Sequence, residues 1–219
     1  MAEDVIARLR RLDVCAISDA CDRLRLPPAV TGITPQTVTT RIAGRVTTVK
    51  VGAGEKKGGS TRHLCTAAIE AAEAGGIVVV EQTTGIDAAG WGGILSRAAR
   101  LRGLCGAIVD GPARDIDEAR DIGFAVFARG TTARTARGRI HEADTGCPVH
   151  VGGLKVEPGD YAVADGSGIV FIKPDNLLAV LETAEMIAAR EAAMTKDIEA
   201  GKPVSEVMGA SYEQLLGHK

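Results

Sequence analysis

The sequence predicts an α/β fold, and three observations carry that expectation. Only 3% of the 219 residues are aromatic while 45% are apolar, so the core has to be assembled from Val, Ile, Leu and Ala. Between Gly76 and Gly130 the hydrophobic period runs strand, helix, strand, helix, strand, the order of a parallel sheet with helical crossovers. The last third changes to glycine-punctuated strands at hairpin spacing, as in a second, antiparallel β layer. A chain of this length buries roughly 70% of its unfolded-chain surface, enough for one core with an appendage.

The elements follow in order. "EDVIARLRRL" and "CAISDACDRLRL" have helical spacing, and the prolines of "LPP" end the second. "AGRVTTVKVG" alternates at strand period, and "STRHLCTAAIEAAEAGG" reads as a helix between a Ser60 cap and a terminal glycine pair. "GIVVVEQ" is a continuous apolar run of the buried-strand kind. A loop then leads into "GGILSRAARLRG" as helix, "GAIVDG" as strand, "DIDEARDIG" as a short helix and "FAVFARG" as strand. "VHVGGLKVEPGDYAVADGSGIVFIKP" holds the hairpin strands, and "DNLLAVLETAEMIAAREAAMTKDIEAG" is an Asp-capped helix of more than twenty residues. The expected organisation is one α/β domain over 1–175, N-terminal helices included, and a helical extension over 176–219 at a subunit interface. The apolar face Leu177, Leu178, Val180, Leu181, Ala184, Ile187 and Ala188 fits either a partner or the chain's own sheet.

Charge and cysteine usage exclude several classes. The 26 basic and 28 acidic residues give a formal net charge of −2, without the excess that neutralising phosphates requires, so nucleic acid is not an expected partner. The local basic run Arg129, Arg134, Arg137 and Arg139 reads as a solvated or subunit-facing loop. There is no signal-type apolar segment and no run of apolar residues of spanning length, so the expectation is a soluble, cytoplasmic protein without membrane contact. The five cysteines, Cys15, Cys21, Cys65, Cys105 and Cys147, form no CxxC pair and no zinc spacing, and read as reduced core residues.

In parallel α/β sheets, ligands collect beyond the carboxyl ends of strands, and two such ends carry chemistry. After "GIVVVEQ" comes "TTGIDAAGWGGILSRAAR", where Gly90, Gly92 and Gly93 precede a helix whose first N–H groups favour an anion. A plain loop-to-helix turn would have the same residues. The segment lacks GxGxxG and a phosphate-loop lysine, which argues against nicotinamide or S-adenosylmethionine. After "GAIVDGP" come Arg114, a planar fork for a carboxylate or enolate oxygen, and Asp115, a hard oxygen donor suited to Mg²⁺. Glu118 follows on the same helical face. Acids at a first helical turn also serve as caps, and the residue types alone leave both roles open.

Gly93, twenty intervening residues, then Arg114-Asp115 with Glu118 resembles the G-x20-R-D-x2-E/D pattern of the RraA-like family, which includes 4-hydroxy-4-methyl-2-oxoglutarate aldolases and a regulator of ribonuclease E activity. "AISDACDRL", "GRVTTVKV", "GDYAVADGSGIVFI" and the final helix extend the resemblance over nearly the whole chain. It implies a swivelling β/β/α-type domain with N-terminal helices and a long C-terminal helix. It implies a divalent-metal-dependent C–C lyase acting on a small 2-oxo acid through a pyruvate enolate, by retro-aldol cleavage or oxaloacetate decarboxylation. The alternative is a non-catalytic regulator that binds a ribonuclease or another protein. On the lyase reading the amides of Gly92, Gly93, Ile94 and Leu95 hold the substrate carboxylate, and Arg114 contacts the carboxylate or C2 oxygen. Asp115 and Glu118 belong to the shell of Mg²⁺ or Mn²⁺. The resemblance further implies a homotrimer or hexamer, with an acid from a neighbouring subunit completing the site; Glu185, Glu191 and Glu199 are the candidates. The chain departs from the aldolase subset at Gly93, where an aspartate is expected.

Overall fold

The computed structural model describes residues 4–38, 40–55 and 62–209. Two short helices, α1 (Val5–Arg11) and α2 (Val14–Arg23), open the chain, each begun by an aspartate whose carboxylate accepts a first-turn N–H: Asp4 for α1 and Asp13 for α2. The sheet strands are β1 (Thr34–Pro35), β2 (Ile42–Ala53), β3 (Ile77–Glu81), β4 (Gly106–Ala113), β5 (Ala125–Thr131) and β6 (Ile140–Thr145). They are joined by α3 (Thr66–Ala71), α4 (Gly93–Leu101) and α5 (Ile116–Asp121). β7 (Val149–Val151), β8 (Leu154–Val156), β9 (Tyr161–Ala164) and β10 (Ile169–Ile172) precede the 23-residue α6 (Leu177–Glu199) and a final turn, α7 (Val204–Val207).

Strand order is β1-β5-β4-β3-β2-β9-β10, with β2 through β5 parallel and β6 pairing antiparallel with β2. The period of two along β3 divides the core. Val78 and Val80 face a cluster under α3, α4 and α5 that holds Trp91 and Phe124, while Ile77 and Val79 face a second cluster under the β7–β8 ribbon. All five residues of β3 are buried, as expected for a central parallel strand covered on both faces. A third cluster packs α1, α2 and α6 on β9 and β10.

Three expectations are corrected. The hairpin strands do not form one separate layer: β9 pairs with Ile42–Arg45 of β2 and so extends the main sheet, leaving only β7 and β8 apart. Because β2 has 12 residues, it can carry β9 at one end and β6 at the other. α3 starts at Thr66, after Cys65 in the left-handed region, rather than near Ser60, which lies outside the described residues. α6 starts from the 3₁₀ turn Pro174–Asn176, and no side chain caps it. Its face of Leu177, Val180, Leu181, Ala184 and Ile187 is buried within the chain, whereas Leu178 is 58% exposed. No described helix is long and apolar enough to cross a membrane.

Candidate active site

The loop between β3 and α4 is fastened to the end of β4. Gly90 N donates to Pro112 O at 2.9 Å and Arg114 N to Trp91 O at 3.0 Å, so Trp91 continues the parallel ladder beside Ala113. Gln82, 3% exposed, supports the loop from beneath: its side-chain amide donates to Ala88 O at 2.6 Å and Ile86 O at 3.1 Å. Trp91 forms the floor, stacked on Phe124 at 6.1 Å between ring centroids, with its indole N–H donating to Ser96 Oγ at 2.9 Å.

Asp115 stands at the N-cap position of α5 but does not cap it. Its φ of +56 places it in the left-handed region, which aspartate tolerates better than most residues and which still costs about 1–3 kcal/mol. The carboxylate is turned back toward α4: Oδ2 accepts Gly93 N at 3.0 Å and lies 3.2 Å from Arg114 Nε. Capping, the competing role for this acid, is thus not the one it performs. Oδ1, and the two terminal nitrogens of Arg114, have no protein partner among the described residues.

Glu118, one turn further along α5, accepts from Arg97 through Oε1, at 2.9 Å from Nη2 and 3.3 Å from Nε. Its Oε2 occupies the place a Cβ on residue 93 would take, with Cδ 2.7 Å from that point. A Cβ on residue 92 would lie 3.0 Å from Asp115 Oδ2. The glycine pair therefore admits the chain's own two carboxylates against the backbone. Gly93 N is engaged by Asp115, while the amides of Ile94 and Leu95 in the same first turn have no partner among the described residues.

These groups border a cavity of about 310 Å³ that also touches His63, Leu64, Thr66, Ala89, Thr135 and Ala136. The structure thus brings together every predicted site residue: Gly92, Gly93, Ile94, Leu95, Arg114 and Asp115 line the cavity, and Glu118 adjoins it through Gly93. Gln82, Trp91 and His63 were not foreseen. The strand run "GIVVVEQ" and the lone tryptophan were visible, but their roles depend on contacts with distant residues.

Asp115 Oδ1 and Glu118 Oε2 are hard oxygen donors of the type Mg²⁺ and Mn²⁺ accept, so the residues fit such an ion. Among the described residues no group of three or more His, Cys, Asp or Glu side chains is placed to hold a metal, so a cation here would draw further ligands from water or another subunit. Of the acids considered for that subunit role, Glu185 is engaged by Arg8 at 2.8 and 2.7 Å, and this pairing lowers its pKa. Glu191 is raised, first by burial and then by Asp13 and Asp19. Glu199 ends α6 and is exposed.

No cysteine is among the described residues that line the cavity. Burial, and after it the Glu142 carboxylate, pushes the Cys65 thiol well above its usual range, and burial lifts Cys21 and Cys105 to about 11. Cys15 departs from the expectation of a core position and is exposed. The basic run is partly paired: Arg129 bridges to Asp110 and Arg134 to Asp87.

A cavity bordered by Arg114 and Asp115, with Glu118 adjoining, lies at the carboxyl ends of strands in an α/β sheet, and comparison with known proteins supplies the family. The chain belongs to the RraA-like family, described as Aldolase/RraA, whose model matches residues 14–171. A Halalkalibacterium halodurans protein carrying a provisional 4-hydroxy-4-methyl-2-oxoglutarate aldolase name is 27% identical over 209 residues, covering 94% of this chain and 95% of that one. Legionella pneumophila protein DlpA is 26% identical over 212 residues, and the chain spans 34% of its length. An uncharacterized Pseudomonas syringae protein of known structure superposes with a TM-score of 0.85 at 26% identity, over 95% of this chain and 98% of that one.

Proposed function

We propose that this chain is a divalent-metal-dependent C–C lyase acting on small 2-oxo acids through a pyruvate enolate. The observation that carries the reading is the half-engaged pair at the end of β4. Arg114 Nε and Asp115 Oδ2 hold one another, and Gly93 N and Trp91 O fix both in place. The terminal nitrogens of Arg114 and the outer oxygen of Asp115 remain for ligands. A group required only for folding has no need to keep that capacity.

Arg114 would hold the substrate through its terminal nitrogens and, because a guanidinium stays protonated at working pH, would stabilise negative charge as it grows on the C2 oxygen. The Ile94 and Leu95 amides, at the positive end of α4, would receive the C1 carboxylate. Asp115 and Glu118 would hold Mg²⁺ or Mn²⁺, which supplies Lewis-acid polarisation of the 2-oxo group. Cleavage of C3–C4 sends its electron pair into the enolate, the C4 hydroxyl loses its proton as the carbonyl forms, and C3 then takes a proton to give pyruvate. Loss of CO₂ from oxaloacetate leaves the same enolate, so the one site would serve both reactions. A protein that only binds a ribonuclease would have no physical use for this set.

We further propose a homotrimer or hexamer. Ile94, which lines the cavity, and Leu101, at the far end of α4, are each 84% exposed and favour cover by another subunit, which would also supply a further acid to the site. The reading is tested by measuring pyruvate release from oxaloacetate and a panel of 4-hydroxy-2-oxo acids, with Mg²⁺ and after exhaustive chelation. Release that needs the metal is expected; full turnover after chelation, or no release from any substrate, removes the proposal.

A further inference from the structure

We infer that His63 is a further catalytic residue, whose imidazole takes the proton of the substrate's C4 hydroxyl and returns it to C3. The inference rests on the lyase reading above, which needs one group to accept the first proton and one to deliver the second. On that reading the free oxygens of Asp115 and Glu118 are given to a cation, and a guanidinium has no lone pair to offer. His63 lines the same cavity as Arg114 and Asp115. The turn that carries it is fixed at three points: Cys65 N donates to Glu142 Oε2 of β6 at 2.6 Å, the Cys65 thiol lies 3.6 Å from Gly90 O, and Thr66 Oγ donates to His63 O at 2.8 Å. Cys65 is held at a φ of +68, a left-handed backbone that a residue with a Cβ seldom adopts. The turn is thus anchored both to β6 and to the loop that leads into Trp91 and Gly92.

The ring's own bond decides which nitrogen is free. Nδ1 lies 3.1 Å from Leu64 O, and a carbonyl oxygen only accepts, so Nδ1 carries the hydrogen. The neutral ring then keeps its lone pair on Nε2, which has no protein partner among the described residues. An imidazole fixed at Nδ1 and bare at Nε2 is the form a general base takes. With the 2-oxo group at Arg114, Nε2 takes the C4 hydroxyl proton as the C4 oxygen becomes a carbonyl oxygen and the C3–C4 electron pair passes into the enolate. The imidazolium then gives that proton to C3, and pyruvate leaves with the ring neutral again. Oxaloacetate makes a different demand: its C4 departs as CO₂ with no hydroxyl proton to remove, and solvent can protonate the enolate that remains. Loss of the imidazole should therefore separate two reactions that share the rest of the site.

His63→Asn tests this, because its amide keeps a donor for Leu64 O and offers no base. Pyruvate release is followed by NMR, with Mg²⁺, from oxaloacetate above the metal-only background and from the 4-hydroxy-2-oxo acid that wild-type protein cleaves fastest. The variant should lose roughly 100-fold or more in kcat for the hydroxy acid and stay within about threefold of wild type for oxaloacetate. Exchange of the pyruvate methyl protons in D₂O, which runs the second transfer backwards, should fall with the first activity and not with the second. Near-normal cleavage of the hydroxy acid by the variant overturns the inference. An equal loss in both reactions also overturns it, since the turn would then serve binding or folding rather than proton transfer. Wild-type protein that decarboxylates oxaloacetate but cleaves no hydroxy acid removes the inference and leaves the lyase reading standing, whereas no pyruvate from any substrate removes both.

Discussion

Acids stand on both faces of the sheet at the ends of β3 and β4, and the two faces treat them differently. On the ribbon side, Glu81 and Asp110 are buried; both oxygens of Asp110 are engaged, and Glu81 is bonded through Oε2 with Lys50 Nζ 3.9 Å from Oε1. Glu81 Oε2 accepts His150 N at 2.7 Å, and Asp110 Oδ2 accepts Gly152 N at 2.7 Å while its other oxygen takes Arg129. They clasp the β7–β8 ribbon to the sheet. On the helix side, Asp115 and Glu118 are each engaged through one oxygen and free at the other. The contrast is sharpest between Asp110, buried with both oxygens occupied, and Asp115, half-exposed with one oxygen fixed and the other open to the cavity.

Exchange of an acid on each face for alanine should separate these roles most sharply. Asp115→Ala should abolish metal-dependent pyruvate release, on the order of 10³-fold or more, and should remove Mn²⁺ binding seen by EPR. Its effect on stability should be modest: the side chain is 38% exposed, and the main loss is that alanine tolerates the left-handed backbone less well than aspartate. Asp110→Ala should leave activity per folded molecule intact but cost about 2–4 kcal/mol in denaturant unfolding, since Gly152 N–H and Arg129 both lose their acceptor. If Asp110→Ala lost activity at unchanged stability, the division between faces would be wrong.

Arg114→Lys sharpens the same comparison on the open face. The lysine keeps the charge but not the fork, so it should lose on the order of 10²-fold in kcat, as Arg114→Ala does. Mn²⁺ binding should stay close to wild type in both variants. Near-normal turnover by the lysine variant would mean that charge alone suffices and that the fork held by Asp115 has no role.

How much of this was legible depends on the range of the interaction. β3 was plain because a run such as "GIVVVEQ" declares a strand buried on both faces, and Arg114-Asp115 was plain because a charged pair just past a buried strand is unusual. β6 was missed: its "IHEADT" pairs with β2 but buries only Ile140, so it has no period to read. The reason for Gly92 and Gly93 was also hidden. An anionic ligand was expected at that backbone, and only the left-handed turn at Asp115 brings the chain's own two carboxylates onto it. Gln82 has no local signature because its acceptors, Ile86 and Ala88, come into place only once the loop has folded back.

Gly93→Ala tests that backbone directly. Its methyl group would take the space of the Glu118 carboxylate, which must swing away and strain its pairing with Arg97. Removal of one supporting donor of this kind should weaken Mn²⁺ binding by about 10–100-fold, with little change in substrate affinity. Glu118→Gln should weaken it to a similar degree, and the double variant should be no worse than either alone, since both act through one carboxylate. Additive losses would show that Gly93 serves something other than admitting Glu118.

The smallest effect belongs to a third acid arrangement, the clasp between β8 and β10. Lys173 Nζ lies 2.9 Å from Glu157 Oε2 and 2.8 Å from Asp160 Oδ2, and Lys155 bridges to Glu157 at 2.7 Å. Hydrogen bonds from Lys155 and then Lys173 hold the Glu157 carboxyl down at about 2, below its ordinary 4.5. A carboxyl depressed by folding stabilises the native state above its unfolded pKa, and that contribution fades as pH falls through the folded value. Glu157→Gln should therefore lower the thermal midpoint slightly at pH 7, and the gap to wild type should close between about pH 4.5 and pH 2. The effect is slight because the ion pair is open to water and salt, so 1 M NaCl should shrink it at pH 7 as well. Asp160, 3% exposed, also accepts Glu157 N at 2.8 Å, and Asp160→Asn should cost more than Glu157→Gln because it disturbs a buried acceptor. A gap for Glu157→Gln that widened toward acid would mean that the carboxyl is raised by folding, and the clasp would then be a strained pairing of acids.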